Sequence, residues 1–307
     1  MGATRATRGA RIQSLWGGYG EIFRVELTGA RVASAIVKWV KPPALLRSET
    51  QLSHARKCRS YKVELAWYRM FASRCDETCR VPSLIDSRSS NDESLFVLED
   101  LDTAGFPSRR RQLGPAEVDL CLAWLAAFHA RFLGVPPNGL WKTGTYWHLA
   151  TRPDELSAIE EPALREAAPI LDRMLGSCVF QTLVHGDAKA ANFCFAADAR
   201  AVAAVDFQYA GGGCGMKDIA YFLAGESTTE AVEQRQLDTY FAHLRHALAQ
   251  RTESASIDNN ALEAEWRALY PIARADFHRF LAGWSKEHWR IDTHGQTLTR
   301  NVLRSLA

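Results

Sequence analysis

The sequence predicts an α+β protein in which a mostly β N-terminal segment is followed by a longer, mostly helical part. Before about residue 100, β-branched and aromatic residues form short runs that end at glycine or proline, as is typical of strands. After about residue 112, apolar residues recur at three- and four-residue steps, which is the period of a helix with one buried face. An apolar share of 47% and a charged share of 23% are those of a globular chain.

Charge and length limit the partners that the chain can have. The 307 residues carry 37 lysines and arginines against 35 aspartates and glutamates, which leaves a formal charge of +2. This balance gives no electrostatic signature for nucleic acid, and no apolar run approaches the roughly 18–20 residues that span a bilayer. We therefore expect a small-molecule partner, with no nucleic acid and no membrane span. The oligomeric state stays open.

The cysteines point to a reducing compartment. They form no C-x-x-C pair and no histidine cluster joins them at zinc spacing, so a structural metal is not expected. Residues 1–11 are basic but lack the apolar core of a secretory signal. The expectation is a soluble, cytoplasmic protein with reduced thiols. The seven cysteines are Cys58, Cys75, Cys79, Cys121, Cys178, Cys194 and Cys214.

The N-terminal segment predicts a small sheet with one helix. Residues 22–27 and 32–40 are β-rich runs, and the glycine cluster at 16–20 opens the first of them. Residues 53–74 have helical periodicity, and residues 94–99 form a further strand.

The C-terminal part predicts mostly helices. A polar, glycine- and proline-containing connection at 100–111 precedes it and marks the domain boundary. The strongest helix covers 115–133, with Pro115 in its first turn. The remaining elements are a helical stretch at 154–176, two short apolar runs at 182–184 and 201–205, and helices from about residue 217 onward.

Two polar clusters that follow the short apolar runs carry the chemistry. The first contains Asp187, Lys189 and Asn192, and the second contains Asp206. Phosphoryl transfer to a hydroxyl needs an aspartate that orients the hydroxyl and accepts its proton, and hard oxygen ligands that hold Mg²⁺. A lysine beside the aspartate neutralises charge on the migrating phosphoryl group. The spacing of His185, Asp187, Lys189 and Asn192 matches that of a kinase catalytic loop.

The segment VHGDAKAANF (184–193), followed by VDFQYAGGGCGMKDIAYFL (205–223), resembles the kinase-like small-molecule phosphotransferases. That superfamily groups choline and ethanolamine kinases, aminoglycoside phosphotransferases and ecdysteroid-kinase-like proteins, and the sequence is most similar to the ecdysteroid-kinase-like and choline-kinase-like (CHK kinase-like) branch. The resemblance implies a bilobal protein-kinase-like fold. Residues 12–101 would form an ATP-binding N-lobe, and residues 102–307 a C-lobe with the catalytic loop, the metal site and the acceptor-binding helices. ATP would lie in the cleft between the lobes.

The resemblance also assigns roles to individual residues. Asp187 takes the position of the catalytic aspartate and Lys189 that of the accompanying lysine, while Asn192 and Asp206 take the Mg²⁺-ligand positions. On the nucleotide side, Lys38 takes the position of the ATP-phosphate lysine. The other nucleotide-binding candidates are Gly18 and Gly20 of the phosphate loop, Glu64 as the ion-pair partner of Lys38, and Glu99 and Leu101 of the adenine hinge.

The sequence departs from protein kinases at two places. Gly18-x-Gly20 lacks the third glycine of their phosphate loop, and Gln208 replaces the glycine of Asp-Phe-Gly. His185 and Asp218 are expected to hold the catalytic loop in place rather than react. Residues 211–213 are all glycine, which indicates either a close approach of the backbone to the substrate or metal, or a flexible linker.

The acceptor is not determined by the sequence. Trp266, Trp284 and Trp289 either belong to the core or form walls for a cationic or steroid-like ligand. The predicted function is ATP- and Mg²⁺-dependent O-phosphorylation of a small-molecule hydroxyl. The alternatives are a choline- or ethanolamine-type kinase, an aminoglycoside kinase, or a catalytically silent kinase fold that serves as a binding protein.

Overall fold

The computed structural model describes residues 2–43, 51–90, 93–226, 229–251 and 257–306. The chain divides into two compact units, of which the first comprises residues 1–110 and 193–208 and the second residues 111–192 and 209–307. The predicted boundary after Leu101 therefore falls inside the first unit, which also contains Asp206. The assignment of ATP binding to residues 12–101 and of catalysis to residues 102–307 stays a prediction.

Most strands belong to the first unit. In chain order they are β1 (Arg5–Ser14), β2 (Gly20–Thr28), β3 (Ser34–Val40), β4 (Leu84–Ser90), β5 (Glu93–Glu99), β6 (Ser108–Arg109), β7 (Thr182–Val184), β8 (Phe193–Phe195), β9 (Val202–Ala204) and β10 (Gly211–Gly213). The first five form an antiparallel sheet of order β1-β2-β3-β5-β4, and β6, β8 and β9 form a smaller sheet. In the second unit, β7 pairs with β10.

The helices have the following bounds: α1 (Gln51–Met70), α2 (Pro115–Arg131), α3 (Pro153–Ser157), α4 (Pro162–Gly176), α5 (Met216–Glu226), α6 (Glu230–Ala249), α7 (Asn259–Trp284), α8 (Lys286–Ile291) and α9 (Thr293–Leu306). α1 lies in the first unit and the others in the second. Within the second unit, α2 packs on α6, and α7 packs on α4, α5 and α9. None of the helices in the described part of the chain has the length and hydropathy of a bilayer-spanning segment.

In the five-stranded sheet, the sequence predicts β3 and β5, which have buried residues, and β2, which is mostly half-buried. β3 is central in the five-stranded sheet, and Lys38 on it lies opposite Ile22 of β2 and Phe96 of β5. β1 and β4 are edge strands that the sequence analysis missed, and most of their residues are exposed or half-buried. Because neither strand buries a regular set of side chains, neither carries the apolar alternation that identifies a strand.

Two predictions for the second unit are refined. The helical stretch predicted at 154–176 is two helices, because Pro162 occupies the first turn of α4 rather than the interior of one long helix. The glycine run at 211–213 is strand β10, not a flexible linker. A Cβ on Gly211 would lie 2.4 Å from the carbonyl oxygen of Trp141, so glycine is required by the close backbone approach.

Candidate active site

In the first unit, three charged side chains meet at the centre of the five-stranded sheet. The Nζ atom of Lys38 lies 2.6 Å from a carboxylate oxygen of Glu64 and 3.4 Å from one of Asp206. Lys38 on β3 and Glu64 on α1 are both almost fully buried, whereas the side chain of Asp206 is about one-third exposed. Strand, helix and loop thus bring together three residues that are far apart in sequence.

Burial and the neighbouring charges shift the pKa values of Lys38 and Glu64 in opposite directions. Burial lowers the pKa of Lys38, but the attraction of Glu64 and Asp206 outweighs it and leaves the pKa above its usual value. For Glu64, burial outweighs the attraction of Lys38 and raises the pKa from 4.5 to about 7. The ammonium of Lys38 therefore keeps its charge at neutral pH, and Glu64 is the partner that can change its protonation state.

The Asp206-Phe207-Gln208 motif is fixed against α1. Asp206 adopts a left-handed backbone conformation with φ of 71°. Phe207 is fully buried and stacks on Trp67, with 4.3 Å between ring centroids. The hydroxyl of Ser60 donates to the side-chain oxygen of Gln208 at 3.3 Å. A strained aspartate held by its neighbours is typical of a functional site.

The glycine cluster before β2 forms a tight turn that begins with a 3-10 helix at Trp16–Gly18. Gly18 and Gly20 both have positive φ, of 77° and 136°. A Cβ on Gly20 would lie 1.9 Å from the carbonyl oxygen of Trp39, so a larger residue would disrupt the pairing of β2 with β3. A Cβ on Gly18 would meet no atom within 4 Å. Gly20 is therefore explained by packing, whereas Gly18 is required by its backbone conformation alone.

The predicted hinge follows β5. The side chain of Glu99 accepts hydrogen bonds from Arg80 and from the N–H of Ser83, which lower the pKa of Glu99 although burial opposes them. Leu101 is buried and packs in a small core with Phe106. These two side chains stabilise the first unit, so a nucleotide contact in this segment would involve its backbone.

In the second unit, residues 185–192 form a compact loop after β7. Asp187 is only 7% exposed. The side-chain nitrogen of Asn192 donates to the backbone oxygen of Asp187 at 2.8 Å and to its carboxylate at 3.0 Å. The Nζ atom of Lys189 lies 2.9 Å from the same carboxylate oxygen. The backbone N–H of Asp187 donates to Nδ1 of His185 at 3.2 Å. The loop therefore brings together the predicted catalytic residues and one predicted metal ligand.

The 185–192 loop is anchored by a carboxylate from α5. Asp218 is fully buried and accepts hydrogen bonds from the backbone N–H groups of His185, at 2.6 Å, and Gly186, at 2.9 Å. Its third partner is His129 of α2, whose Nε2 atom lies 3.1 Å from the carboxylate. Asp218 thus anchors the loop from α5, and the side chain of His185 accepts a backbone N–H within the same loop.

A row of half-buried aromatic residues beside Asp187 was missed by the sequence analysis. Tyr146 contacts Tyr209 and Tyr221, with ring centroids 5.9 and 5.4 Å away, and Trp141 stacks on Tyr209. Burial and the nearby charge of Asp187 raise the pKa of Tyr221 well above its usual value. Tyr209 directly follows the Asp-Phe-Gln motif, and Tyr221 follows Asp218 by three residues. This proximity in sequence was the only feature that could have suggested the two tyrosines as site residues. We call Trp141, Tyr146, Tyr209 and Tyr221 the aromatic row.

The three tryptophans considered for an acceptor cage do not form one. Trp266 is fully buried and donates its indole N–H to the backbone oxygen of Phe180. Trp284 stacks on Phe280, and Trp289 packs against His278. Trp266 is thus a core residue and Trp289 packs at a separate place in the second unit, whereas the side chain of Trp284 is more than half exposed.

Within the described residues, no group of three or more histidine, cysteine, aspartate or glutamate side chains could hold a metal ion. An amide oxygen and a carboxylate can bind Mg²⁺ without such a group, because Mg²⁺ prefers hard oxygen ligands and keeps several waters or phosphate oxygens. Asn192 uses its amide nitrogen to bond Asp187, which leaves its amide oxygen as the donor for a cation. Asp206 supplies a partly exposed carboxylate. The two residues belong to different units, and each offers an oxygen of the kind that Mg²⁺ prefers.

Fold and sequence together define a kinase-like small-molecule phosphotransferase. The sequence matches the phosphotransferase enzyme family over residues 23–256, most of the chain, and the protein belongs to this family. No similar sequence was found among the curated proteins.

Solved structures confirm the predicted α+β, protein-kinase-like fold. A choline kinase from Cryptosporidium parvum has a TM-score of 0.55 and 12% identity, over 98% of this chain and 89% of that one. A thermostable mutant of an aminoglycoside phosphotransferase has a TM-score of 0.53 and 14% identity, over 98% and 96% of the two chains. An amicoumacin kinase, solved with AMP-PNP and Ca²⁺, has a TM-score of 0.54 and 14% identity, over 98% and 87%. At these identities the similarity describes the fold alone.

Proposed function

We propose that the protein catalyses the ATP- and Mg²⁺-dependent O-phosphorylation of a small-molecule hydroxyl. The observation that carries the proposal is Asp187, a buried carboxylate whose loop is held by Asp218 and whose Oδ2 atom accepts hydrogen bonds from Lys189 and Asn192. The amicoumacin kinase with a related fold binds an ATP analogue and a divalent cation, which supports the choice of co-substrate and metal class.

In this reaction, Asp187 orients the acceptor hydroxyl and accepts its proton. Lys189 lies 2.9 Å from Asp187 and has its side chain about half exposed, so its ammonium can move from the carboxylate to the transferred phosphoryl group. Asn192 fixes the position of Asp187 through its amide nitrogen. Catalysis then rests on positioning and charge, as is general for phosphoryl transfer.

The nucleotide side of the reaction is assigned to the N-terminal part, residues 12–101. Lys38 binds the phosphates, and Glu64 holds the lysine in place. The turn with Gly18 and Gly20 approaches the phosphates through its backbone, and the backbone at Glu99 and Leu101 binds the adenine. Residues 102–307 would supply the catalytic loop and the acceptor-binding region.

Asn192 and Asp206 are the proposed ligands of the magnesium ion. When bound, the ion would neutralise phosphate charge during transfer. Asp206 has a second function in the protein itself, because its carboxylate lies 3.4 Å from Lys38 and helps to keep that lysine charged.

We propose that the acceptor binds against the aromatic row. Burial and the nearby charge of Asp187 raise the pKa values of Tyr146 and Tyr221, so an acceptor on this row has its hydroxyl close to the proton acceptor. Aromatic faces suit an apolar ring or a single cationic headgroup. A polycation needs several carboxylates, and Lys189 adds a positive charge at this place. The row therefore favours a choline-type or ring-containing alcohol over an aminoglycoside.

The test is an ATP-consumption screen over amino alcohols, sterols, sugars and aminoglycosides, with wild type and Asp187→Ala side by side. We expect turnover with at least one alcohol and a loss of about 10²–10⁴-fold in the variant. Asp198→Ala, which removes an exposed turn aspartate, is the control and should retain full turnover.

Nucleotide binding distinguishes an enzyme from a silent kinase fold. AMP-PNP with Mg²⁺ should raise the melting temperature of both wild type and Asp187→Ala, because the variant keeps Lys38 and the glycine turn. Full turnover in Asp187→Ala would refute the catalytic assignment. Absence of any stabilisation of the wild-type protein by the nucleotide would favour the silent binding protein.

A further inference from the structure

One face of α1 continues beyond Glu64 toward the glycine turn. His54, Lys57 and Tyr61 precede Glu64 at steps of three and four residues, so all four side chains lie on the same side of the helix. Tyr61 lies below the ammonium of Lys38, with 5.7 Å between Nζ and the ring centroid. This face therefore connects the Lys38–Glu64 pair with the start of the helix.

Lys57 extends from this face to the turn itself. Its Nζ atom lies 5.0 Å from the ring centroid of Tyr19, which is fully buried between the two glycines of the turn. A Cβ built on Gly17 would lie 3.4 Å from the same Nζ atom. The hydroxyl of Tyr19 lies 2.5 Å from Nδ1 of His54, which fixes the ring beneath the ammonium. The geometry places a lysine ammonium against the backbone of the turn.

A nucleotide bound in the first unit would need more positive charge than Lys38 alone provides. Lys38 is the phosphate-binding lysine of the proposed function, yet its ammonium is already shared between the carboxylates of Glu64 and Asp206. A triphosphate carries several negative charges, and the glycine turn offers it backbone N–H groups without a formal charge. A second ammonium at the turn supplies the missing positive charge at short range.

We propose that Lys57 is a second phosphate-binding lysine, which binds the phosphate chain of the nucleotide at the glycine turn while Tyr19 and His54 position it. This inference rests on the proposed function, since it requires that the turn receives a nucleotide. It assigns to Lys57 a role in affinity for the phosphates and none in the recognition of adenosine.

Calorimetric titrations with AMP-PNP·Mg²⁺ and with adenosine test the proposal. Lys57→Met should bind AMP-PNP at least about tenfold more weakly than wild type, the loss expected for a hydrogen bond to a charged group. Its affinity for adenosine should stay unchanged. Lys57→Arg should retain most of the affinity for AMP-PNP, because it keeps the charge. Lys62→Met is the matched control, because Lys62 lies on the same helix and is exposed.

The outcomes separate this inference from the proposed function. Equal AMP-PNP affinity in Lys57→Met and wild type would overturn the role of Lys57 and leave the proposed function standing. Equal weakening of AMP-PNP and adenosine would show a structural role and would also overturn it. If the wild-type protein binds no AMP-PNP, the proposed function itself fails. Should Lys57→Met melt well below wild type, Lys57→Gln is measured instead, with the same expected selectivity.

Discussion

The two parts of the proposed site are held in place by different forces. In the first unit, a buried lysine–glutamate pair fixes the site, because Lys38 and Glu64 lie 2.6 Å apart in a nearly water-free environment where the pKa of Glu64 is raised to about 7. In the second unit, two backbone N–H groups of the 185–192 loop donate to the single buried carboxylate of Asp218. If one partner of the lysine–glutamate pair is replaced, the other can lose its charge by gaining or releasing a proton. A backbone N–H that loses its acceptor has no such alternative and stays unsatisfied. The loop is therefore the part that tolerates substitution less.

The largest effect should come from Asp218→Ala. The substitution leaves two buried backbone donors and the ring of His129 without their shared acceptor, so the free energy of unfolding should fall by about 3 kcal/mol or more. Turnover should fall as well, because the loop no longer holds Asp187. Chemical denaturation and an ATP-consumption assay measure the two effects.

An exposed pair of the same chemistry provides the control for Asp218. His243 lies 2.9 Å from Asp119 at the surface, where the aspartate side chain is about half exposed. Asp119→Ala should cost about 0.5 kcal/mol or less. If the two aspartates gave similar losses, burial and backbone donors would not be what distinguishes the loop.

A smaller loss is expected from Lys38→Met. Glu64 then remains buried without its ammonium partner, but it can take up a proton, so the cost should be about 2 kcal/mol rather than the larger value for a fixed charge. The double variant Lys38→Met/Glu64→Leu should recover most of this stability and still bind nucleotide poorly. Urea denaturation of wild type, single and double variant provides the comparison. A double variant less stable than the single one would contradict the idea that the pair is kept for binding.

The sequence predicted those parts of the molecule whose structure is determined by residues close together in sequence. β3 and β5 have buried residues and β2 is mostly half-buried, and all three were found, whereas the more exposed edge strands β1 and β4 were not. The 185–192 loop is contiguous, so its spacing alone was enough to propose Asp187 and Asn192 as candidate site residues. The aromatic row extends over Trp141 to Tyr221, and only the tertiary fold brings its members together. Lys57 was missed for the same reason, because its proximity to the glycine turn depends on where α1 lies against the sheet.

The pH dependence of stability should differ between the two regions. Folded protein keeps the proton on Glu64 up to about pH 7, whereas the unfolded chain releases it near its usual value of 4.5. The folded state therefore binds more protons in this interval, and stability should fall as the pH rises from about 5 to 7. Glu64→Gln cannot titrate, so its stability should change less over the same interval. Urea midpoints at pH 5, 6 and 7 measure the slopes.

A carboxylate of the second unit gives the opposite slope. Burial opposes the ionisation of Asp292, but hydrogen bonds from His278 and from the backbone N–H of Gly295 lower its pKa to about 2. Its contribution to stability is complete above its unfolded pKa of 3.8 and is lost as the pH falls toward 2. Asp292→Asn should flatten this acid limb and leave the slope between pH 5 and 7 unchanged. For the Glu64 prediction above, equal slopes of stability against pH in wild type and Glu64→Gln between pH 5 and 7 would show that the pKa of Glu64 is not raised in the folded protein.

The smallest effect should come from Tyr221→Phe, which removes only a hydroxyl beside Asp187. Since the ring remains, packing of the aromatic row is kept, and the melting temperature should change little. The hydroxyl lies close enough to Asp187 for that carboxylate to raise the pKa of Tyr221, so removing it changes the surroundings of the proton acceptor, and kcat should fall by severalfold, about 1 kcal/mol, while the KM for ATP stays constant. Tyr221→Leu additionally removes the ring and should raise the KM for the acceptor. If Tyr221→Phe changed the KM for the acceptor but not kcat, Tyr221 would bind substrate and would not position Asp187.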